Sequence, residues 1–332
     1  MTGQASRNAS GPADSASGRR EAIRLRARLN TLFRDFFAHR GVTEVETPIL
    51  SAAGNTEPNI AGFVTAFAGP VVAGPRERFL RTSPEYPLKR LLAAGVGDCY
   101  ELGRVFRNGE AGRSHNPEFT LLEWYRIGFD HRRLALEAVQ LVRAALALVR
   151  RDAPVAATSY RDWFGAGLGI DPLAADEASL RAPLAEFRID SAGLGRDDWL
   201  DLLVTHRLQP ALPDGGITVV YDFPASQCSL ARIRPGNPPL AERFELYLGR
   251  RELANGYHEL NVAAEQRARF GRDNARRAAR GQPELPLDEN LLAVLDALPD
   301  CAGVALGVDR LLMDLLGSDD LRDVLAFPFA EA

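Results

Sequence analysis

Residues 106–125 read Phe-Arg-Asn-Gly-Glu-Ala-Gly-Arg-Ser-His-Asn-Pro-Glu-Phe-Thr-Leu-Leu-Glu-Trp-Tyr and join two β-like runs through a polar loop. The first run, Cys99 to Phe106, leads into Arg107, and the second starts at Phe119. A guanidinium fork binds phosphate oxygens bidentately, and an aromatic ring offers a flat face on which a base stacks. The pattern predicts an antiparallel hairpin that binds a nucleotide, although Asn-Gly is also typical of a plain surface turn.

A second informative segment, residues 242–261, alternates apolar and polar side chains from Phe244 to Leu248, which predicts a half-buried strand. Glu252 and Glu259 follow this strand. Their carboxylates are suited to Mg²⁺ and to an ammonium group, because hard cations take oxygen ligands. The open alternative is that both are ordinary solvated glutamates on an edge strand.

A third segment, Gly303 to Gly317, is an apolar run that turns at Gly307 into an amphipathic helix. Arg310 lies in the first turn of that helix, where the positive end of the macrodipole disfavours a cation. The position therefore indicates a bound anion, and phosphate is the simplest one. The alternative is an ion pair with a nearby carboxylate such as Asp309.

Together these segments resemble the class II aminoacyl-tRNA synthetase catalytic domain, and within that class the lysine enzymes. Gly41-Val-Thr-Glu-Val-Glu-Thr-Pro48 is similar to motif 1, Phe106-Arg-Asn with His115-Asn-Pro-Glu-Phe119 to motif 2, and Ala305-Leu-Gly-Val-Asp-Arg310 to motif 3. Segments 82–85 and 252–259 are similar to lysine-site segments of that branch. The resemblance implies an α+β fold, with a mostly antiparallel sheet flanked by helices, and a homodimer formed through motif 1.

The short segment before motif 1 distinguishes between relatives. Lysyl-tRNA synthetases carry an anticodon-binding β-barrel there, which needs on the order of 100 residues, whereas motif 1 of this chain starts at Gly41. The compact form is similar to the elongation factor P lysine ligases, a family of stand-alone synthetase paralogues. That resemblance implies ATP-dependent activation of (R)-β-lysine and its transfer to a lysine of elongation factor P, with no tRNA. A tRNA-charging lysine enzyme without its anticodon domain and a non-catalytic regulatory binder stay open as alternatives.

The resemblance also implies roles for individual residues. Arg107 would hold the α-phosphate of ATP, Arg310 the γ-phosphate and Glu252 a Mg²⁺ ion, with Glu259 as a second metal ligand. The other ATP-site candidates are Asn108, Gly109, Glu110, His115, Asn116, Phe119, Leu253 and Gly307. The substrate-site candidates are Ser83, Pro84, Glu85, Tyr125, Glu259 and Ala305. The family usually has glutamate after Arg-Asn, so either Glu110 replaces the residue at Gly109 through a shifted loop or the backbone binds adenine.

Composition adds weaker constraints. The formal net charge of −4 provides no basic field of the kind nucleic-acid binders usually show. The three cysteines, Cys99, Cys228 and Cys301, are far apart in the sequence, which fits a reducing cytoplasm. No apolar run reaches the roughly 20 residues that span a bilayer, so no membrane association is expected.

The remaining segments complete the predicted organisation. Residues 1–18, rich in Ser, Ala and Gly, are expected to be a disordered tail, and residues 19–332 a single catalytic domain. Helical periodicity predicts helices over 19–40 and 130–150, and a third over 285–298. The Gly/Pro/Asp-rich residues 154–215 are interpreted as an insertion.

Overall fold

The computed structural model describes residues 12–70 and 74–332. The helices are α1 Pro12–Ala38, α2 Glu85–Ala93, α3 His131–Ala147, α4 Tyr160–Leu168, α5 Glu177–Arg181, α6 Arg196–Leu203, α7 Ala263–Ala279, α8 Glu289–Leu292 and α9 Val308–Leu316. The strands are β1 Thr43–Glu44, β2 Leu50–Ser51, β3 Val64–Ala66, β4 Glu77–Leu80, β5 Cys99–Phe106, β6 Glu118–Ile127, β7 Val155–Ser159, β8 Ile217–Pro224, β9 Ile233–Arg234, β10 Leu240–Leu248, β11 Arg251–His258 and β12 Cys301–Gly307.

The large sheet has the strand order β1-β5-β6-β12-β11-β10-β8-β7, and β9 pairs with β10. Neighbouring strands from β5 to β8 are antiparallel, while β1 and β7 at the two edges pair in parallel. A small sheet of order β2-β4-β3 lies apart from it. This mostly antiparallel sheet with flanking helices confirms the predicted α+β class.

One face of the large sheet holds the main apolar core. Successive side chains of a strand point to opposite faces, so Trp124, Val304, Ala254 and Leu246 lie together on this side. They pack with α1, α3 and α9, whose apolar stripes cover them. Gly41, which follows α1, has φ of +67°, a left-handed conformation that glycine adopts without strain and that ends the helix.

The opposite face of the central strands is polar. Glu123 of β6 is in register with Ala305 of β12, which is in register with Asn255 of β11, and that residue with Glu245 of β10. A row of site-facing positions therefore crosses four strands. One apolar cluster involving α2 and α8 flanks the row on the β5–β6 side, and another involving α4 to α6 flanks it on the β8–β10 side. The space between them is left for a ligand.

Three sequence predictions about local structure are wrong. Glu245 and Tyr247 are 9% and 2% exposed, so β10 is buried on both faces, because helices from residues 154–215 cover the face predicted to meet solvent. Residues 285–298 contain only the short α8 and a 3₁₀ turn, since Pro286 interrupts the helical pattern. Helix α1 extends back to Pro12, into the predicted tail, and proline is well tolerated at such a first helical position. Residues 1–11 of that tail lie outside the described residues.

The predicted insertion is integrated into the main sheet. Its first residues form β7, which pairs with β8 from Val155 to Ser159. Beyond β7, Tyr160, Trp163 and Trp199 form a compact apolar cluster with residues of β8 and β10. Among the described residues, no helix is both long and apolar enough to cross a membrane.

Candidate active site

A cavity of about 990 Å³ opens on the polar face of the sheet, within the size range of pockets that hold a nucleotide-sized ligand. The predicted site residues that line it are Ser83, Glu85, Arg107, Glu110, His115, Asn116, Phe119, Tyr125, Glu252, Leu253, Glu259, Ala305, Gly307 and Arg310. The predicted residues Pro84, Asn108 and Gly109 are not part of its wall. Four further residues line the cavity although no sequence motif marked them: Glu123, Arg243, Asn255 and Tyr257.

Arg107 leaves the end of β5 and enters the cavity beside the β6 strand. Its guanidinium carbon lies 5.1 Å from the centroid of the Phe119 ring, and its Nη1 lies 3.9 Å from a carboxylate oxygen of Glu110. The Nε atom of Arg107 is buried without a hydrogen-bond partner among the described residues. A buried, unsatisfied donor is costly, so an acceptor oxygen supplied by a ligand would complete this group.

The departure from the family pattern at Gly109 has a conformational reason. Gly109 has φ of +83°, a left-handed conformation in which a glutamate side chain would be strained. The turn therefore places glycine directly after Asn108, and the acidic side chain follows one residue later at Glu110. Glu110 lines the cavity, which leaves its assignment as the adenine-binding residue a prediction.

The loop between β5 and β6 is fastened by Asn116. Its side-chain Nδ2 donates to the carbonyl of Glu118 at 2.6 Å, and its Oδ1 accepts from the backbone N–H of Phe329 at 3.0 Å. These contacts occupy both ends of the amide. Asn116 therefore shapes the loop in this structure, and its predicted contact with ATP stays a prediction.

Arg310 projects from the first turn of α9 towards the same end of the cavity. Its Nη1 donates to the carbonyl of Glu252 at 3.2 Å and lies 3.6 Å from the Glu252 carboxylate. Its Nη2 lies 2.8 Å from Nε2 of His115. Burial, and secondly the charge of Arg310, lower the pKa of His115, so this ring is neutral at pH 7 and accepts the hydrogen bond. Arg310 and Glu252 thus converge although 58 residues separate them.

The alternative partner for Arg310 is occupied elsewhere. The carboxylate of Asp309 pairs with Arg26 of α1 and accepts the backbone N–H of Thr120 at 2.8 Å. Asp309 therefore ties α9 to α1 and β6. The positive charge of Arg310 is left facing the cavity.

The other end of the cavity is closed and lined by carboxylates. Glu123 accepts hydrogen bonds from Ser83 Oγ at 2.8 Å and from Tyr125 OH at 2.9 Å. Burial, and secondly the charge of Glu85, raise the pKa of Glu123 to about 8. The strand alternation that places Tyr125 in the site also places Glu123 there, two residues earlier in β6, so this residue was accessible to sequence reasoning.

Helix α2 contributes the neighbouring charged groups. Pro84 is its N-cap residue, and Ser83 Oγ accepts the backbone N–H of Glu85 at 3.0 Å. One turn further, Lys89 Nζ lies 2.6 Å from a carboxylate oxygen of Glu85 and 2.6 Å from one of Glu259. Lys89 and Glu259 are 2% and 1% exposed, so this is a buried cluster of alternating charge.

The two predicted metal ligands differ in their surroundings. Burial raises the pKa of Glu259 to about 7, while Lys89 lowers it, and the carboxylate is already paired with that lysine. The Glu252 side chain is 37% exposed and has only the long contact to Arg310 at 3.6 Å among the described ion pairs. Glu252 therefore offers a carboxylate that is open to a cation from the cavity, and Glu259 as a metal ligand stays a prediction.

A separate polar cluster lies on the opposite face of the sheet from the cavity, beside α3. His131, Glu242 and His258 each offer a ligand atom within 4.8 Å of the others. Nearby carboxylates are neutralised by arginine: Arg234 contacts both Asp222, at 2.8 Å, and Glu242, at 3.5 Å. Cations already compensate the acidic groups, so we interpret this cluster as an ion-pair network that joins α3 to β8, β10 and β11.

The sequence-family model for class II tRNA synthetases (D, K and N) matches residues 15–331 of this chain. The chain belongs to this family. Among curated relatives of this class II synthetase are three proteins named elongation factor P–(R)-β-lysine ligase. The protein from Salmonella paratyphi A is 49% identical over 306 residues, 91% of this chain and 93% of the relative. The protein from Vibrio cholerae is 48% identical over 314 residues, 93% and 96%. The protein from Klebsiella pneumoniae is 48% identical over 306 residues, 91% and 93%.

Proposed function

We propose that this class II synthetase is an ATP-dependent ligase that activates (R)-β-lysine as an aminoacyl adenylate and transfers it to a lysine side chain of elongation factor P. The names of the relatives support the substrate and the partner. The observation that carries the chemistry is the polarity of the cavity: Arg107 and Arg310 lie at one end, and the carboxylates of Glu85, Glu123 and Glu259 at the other. A nucleoside triphosphate is complementary to the arginine end, and the ammonium groups of a diamino acid are complementary to the carboxylate end.

Adenylate formation needs no general base. The substrate carboxylate is already ionised at pH 7, so it attacks the α-phosphorus directly while the bond to pyrophosphate breaks. Arg107 would bind the α-phosphate and Arg310 the γ-phosphate, and both offset charge that develops on phosphate oxygens. Glu252 would hold Mg²⁺, which when bound supplies further positive charge at the phosphates.

The amino groups of the substrate are assigned to the closed end. Glu259 and Tyr125 would bind the terminal ammonium, and Glu85 the other amine, with Ser83 holding the Glu123 carboxylate in place. In the transfer step, a deprotonated acceptor amine attacks the carbonyl carbon of the adenylate. A C–N bond forms, the C–O bond to AMP breaks, and AMP leaves with the electron pair.

The decisive experiment uses the full chain with ATP and a panel of lysine isomers. Pyrophosphate exchange should be fastest with (R)-β-lysine, and elongation factor P should gain the mass of one β-lysyl group. Transfer to tRNA with no transfer to elongation factor P would instead identify a tRNA-charging enzyme. Absence of exchange with every isomer would identify a non-catalytic binder and contradict the proposal.

A homodimer formed through motif 1 is also proposed. Strand β1 is an edge of the large sheet, and the adjoining Ile49 and Leu50 are exposed apolar side chains. An edge strand beside exposed apolar residues is suited to pairing across a two-fold axis. Sedimentation equilibrium should give twice the chain mass at micromolar concentration, and a mass near one chain would contradict the dimer.

A further inference from the structure

Lys89 is unusual because of its residue type. Forty residues are lysine or arginine, and Lys89 is the only lysine among them. The fold buries other cations as arginine, for example Arg81, Arg269 and Arg277. Position 89 is therefore a place where a cation is buried and where an otherwise arginine-only chain has a lysine.

The geometry at position 89 explains this choice. The ammonium group contacts one oxygen of Glu85 and one of Glu259, each at 2.6 Å. Lysine presents a compact point charge that two carboxylates can approach from different sides, whereas the guanidinium of arginine is a wide planar fork. A planar guanidinium would have to displace one of these carboxylates, because both now contact a single nitrogen atom.

The charges at this end of the cavity can be counted. Glu85, Glu123 and Glu259 bring three carboxylates, and Lys89 offsets one of them. Two negative charges remain, which is the number of ammonium groups on a diamino acid. Burial, and secondly the charge of Glu85, raise the pKa of Glu123 to about 8. Glu123 therefore holds a proton at pH 7 when no ligand is bound, and an ammonium group of a bound diamino acid would take the place of that proton.

We propose that Lys89 is a specificity-determining residue, a built-in ammonium group that leaves the amine end of the cavity with charge for two substrate ammonium groups. This inference rests on the proposed function and goes beyond it by naming what sets the number of amines. Lys89 acts through Glu85 and Glu259, because its ammonium group contacts both carboxylates and fixes their positions. A residue that only tethered α2 to β11 would affect stability without changing amine recognition.

The test compares four forms of the full chain by pyrophosphate exchange: wild type, Lys89→Met, Glu85→Gln and the double variant. Lys89→Met leaves three carboxylates without compensation, and we expect its KM for (R)-β-lysine to rise at least 30-fold while its KM for ATP stays within twofold. Glu85→Gln removes one negative charge and should also raise the KM. The double variant restores the count of two negative charges, so its KM should be lower than that of either single variant.

Arg90→Met is the matched control, because Arg90 is the next residue of α2 and is exposed. Its KM should stay within twofold of wild type. Melting temperatures of all forms separate recognition from folding, and if Lys89→Met does not fold, the double variant is compared with Glu85→Gln alone. A KM for Lys89→Met within threefold of wild type, or a double variant no better than Glu85→Gln, overturns the role of Lys89. A wild-type enzyme without exchange on any diamino acid overturns the proposed function and this inference together.

Discussion

The two ends of the cavity are built in different ways. At the phosphate end, Arg107 and Arg310 lie 3.9 and 3.6 Å from their nearest carboxylates, and one donor nitrogen of Arg107 has no partner among the described residues. At the amine end, the contacts of Lys89 are both 2.6 Å, and those of Glu123 are 2.8 and 2.9 Å. At the phosphate end the two guanidinium groups have only distant carboxylate partners, whereas at the amine end the charged groups are buried and closely paired.

This difference indicates how each end recognises its ligand. The arginines at the phosphate end have incompletely neutralised charges, so ligand binding would complete their contacts. We therefore expect the fold to depend little on them. Groups at the amine end stabilise each other, so the same residues serve both recognition and folding. Substitutions at the two ends should therefore separate in their effects on activity and on stability.

The largest effect is expected at the phosphate end. Arg310→Ala should lower the rate of pyrophosphate exchange by roughly 10²–10³-fold, the usual cost of losing one preorganised charge contact. The melting temperature should change by no more than about 2 °C, because the hydrogen bonds of Arg310 to His115 and to the carbonyl of Glu252 are at least partly exposed to solvent. Pyrophosphate exchange assays measure the rate and thermal unfolding measures the melting temperature. The control is Arg322→Ala, at an exposed position. Near wild-type exchange would show that motif 3 is assigned incorrectly.

At the amine end, Glu259→Gln should affect both substrate recognition and the melting temperature. Removing one partner of a buried ion pair leaves the Lys89 ammonium partly uncompensated, which costs on the order of 3–5 kcal/mol. We expect the KM for lysine-type substrates to rise about 100-fold and the melting temperature to fall clearly below that of the exposed control Glu284→Gln. Unchanged affinity for these substrates would remove Glu259 from the site, whatever its effect on stability.

A smaller effect is expected where the two ends meet. Ala305 lies on the site-facing row, in register with Glu123. Its methyl group should disfavour the pose of α-lysine by about 1–3 kcal/mol, the scale of one methylene in a pocket. Ala305→Gly should therefore gain roughly tenfold in exchange with α-lysine relative to β-lysine. An unaltered ratio between the two substrates would show that Ala305 only packs the strand.

The smallest effect concerns the pH dependence of the amine end. The pKa of Glu123 is raised to about 8 by burial and by Glu85, so between its ordinary value and pH 8 the folded state holds a proton that the unfolded state releases. Stability contributed by this group is therefore lost as pH rises from about 4.5 towards 8. Glu123→Gln, which mimics the protonated acid, should gain about 2–4 °C in melting temperature relative to wild type between pH 5 and pH 8.

The other charged groups near Glu123 are Glu85, Glu259 and Lys89, with Tyr125 as its hydrogen-bond donor. Their titration changes both proteins alike, so the difference between variant and wild type isolates Glu123. A difference that stays constant from pH 5 to pH 8 would mean that Glu123 is already ionised at the lower pH.

Much of the fold and of the site follows from local sequence. Strand alternation places Tyr125 in the cavity and, applied consistently, also Glu123. The segment signals around Arg107, Glu252 and Arg310 correctly mark residues that line one cavity, because each depends on a short strand–turn or strand–helix pattern. Their convergence rests on the family resemblance, since no local pattern specifies contacts across 58 residues.

Other features depend on long-range packing that no local pattern encodes. Strand β10 alternates like a half-buried strand, yet helices from residues 154–215 cover its second face. The burial of Lys89 depends on Glu259, which lies 170 residues away at the end of a distant strand, as well as on Glu85 of its own helix. Gly109 is partly predictable, because a glycine in place of the family's usual glutamate indicates a left-handed turn. The sequence alone does not specify where Glu110 then lies.

The isolation of Lys89 has a chemical consequence for an enzyme that makes activated acyl groups. An aminoacyl adenylate acylates any neutral primary amine that reaches it, and lysine side chains on an enzyme's own surface would compete with the intended acceptor. This chain has no other lysine, and Glu259 and Glu85 raise the pKa of Lys89 against the effect of burial, which keeps it protonated and non-nucleophilic. The ligase therefore presents no neutral side-chain amine to its own product, so the acyl group remains available for an amine brought by a partner.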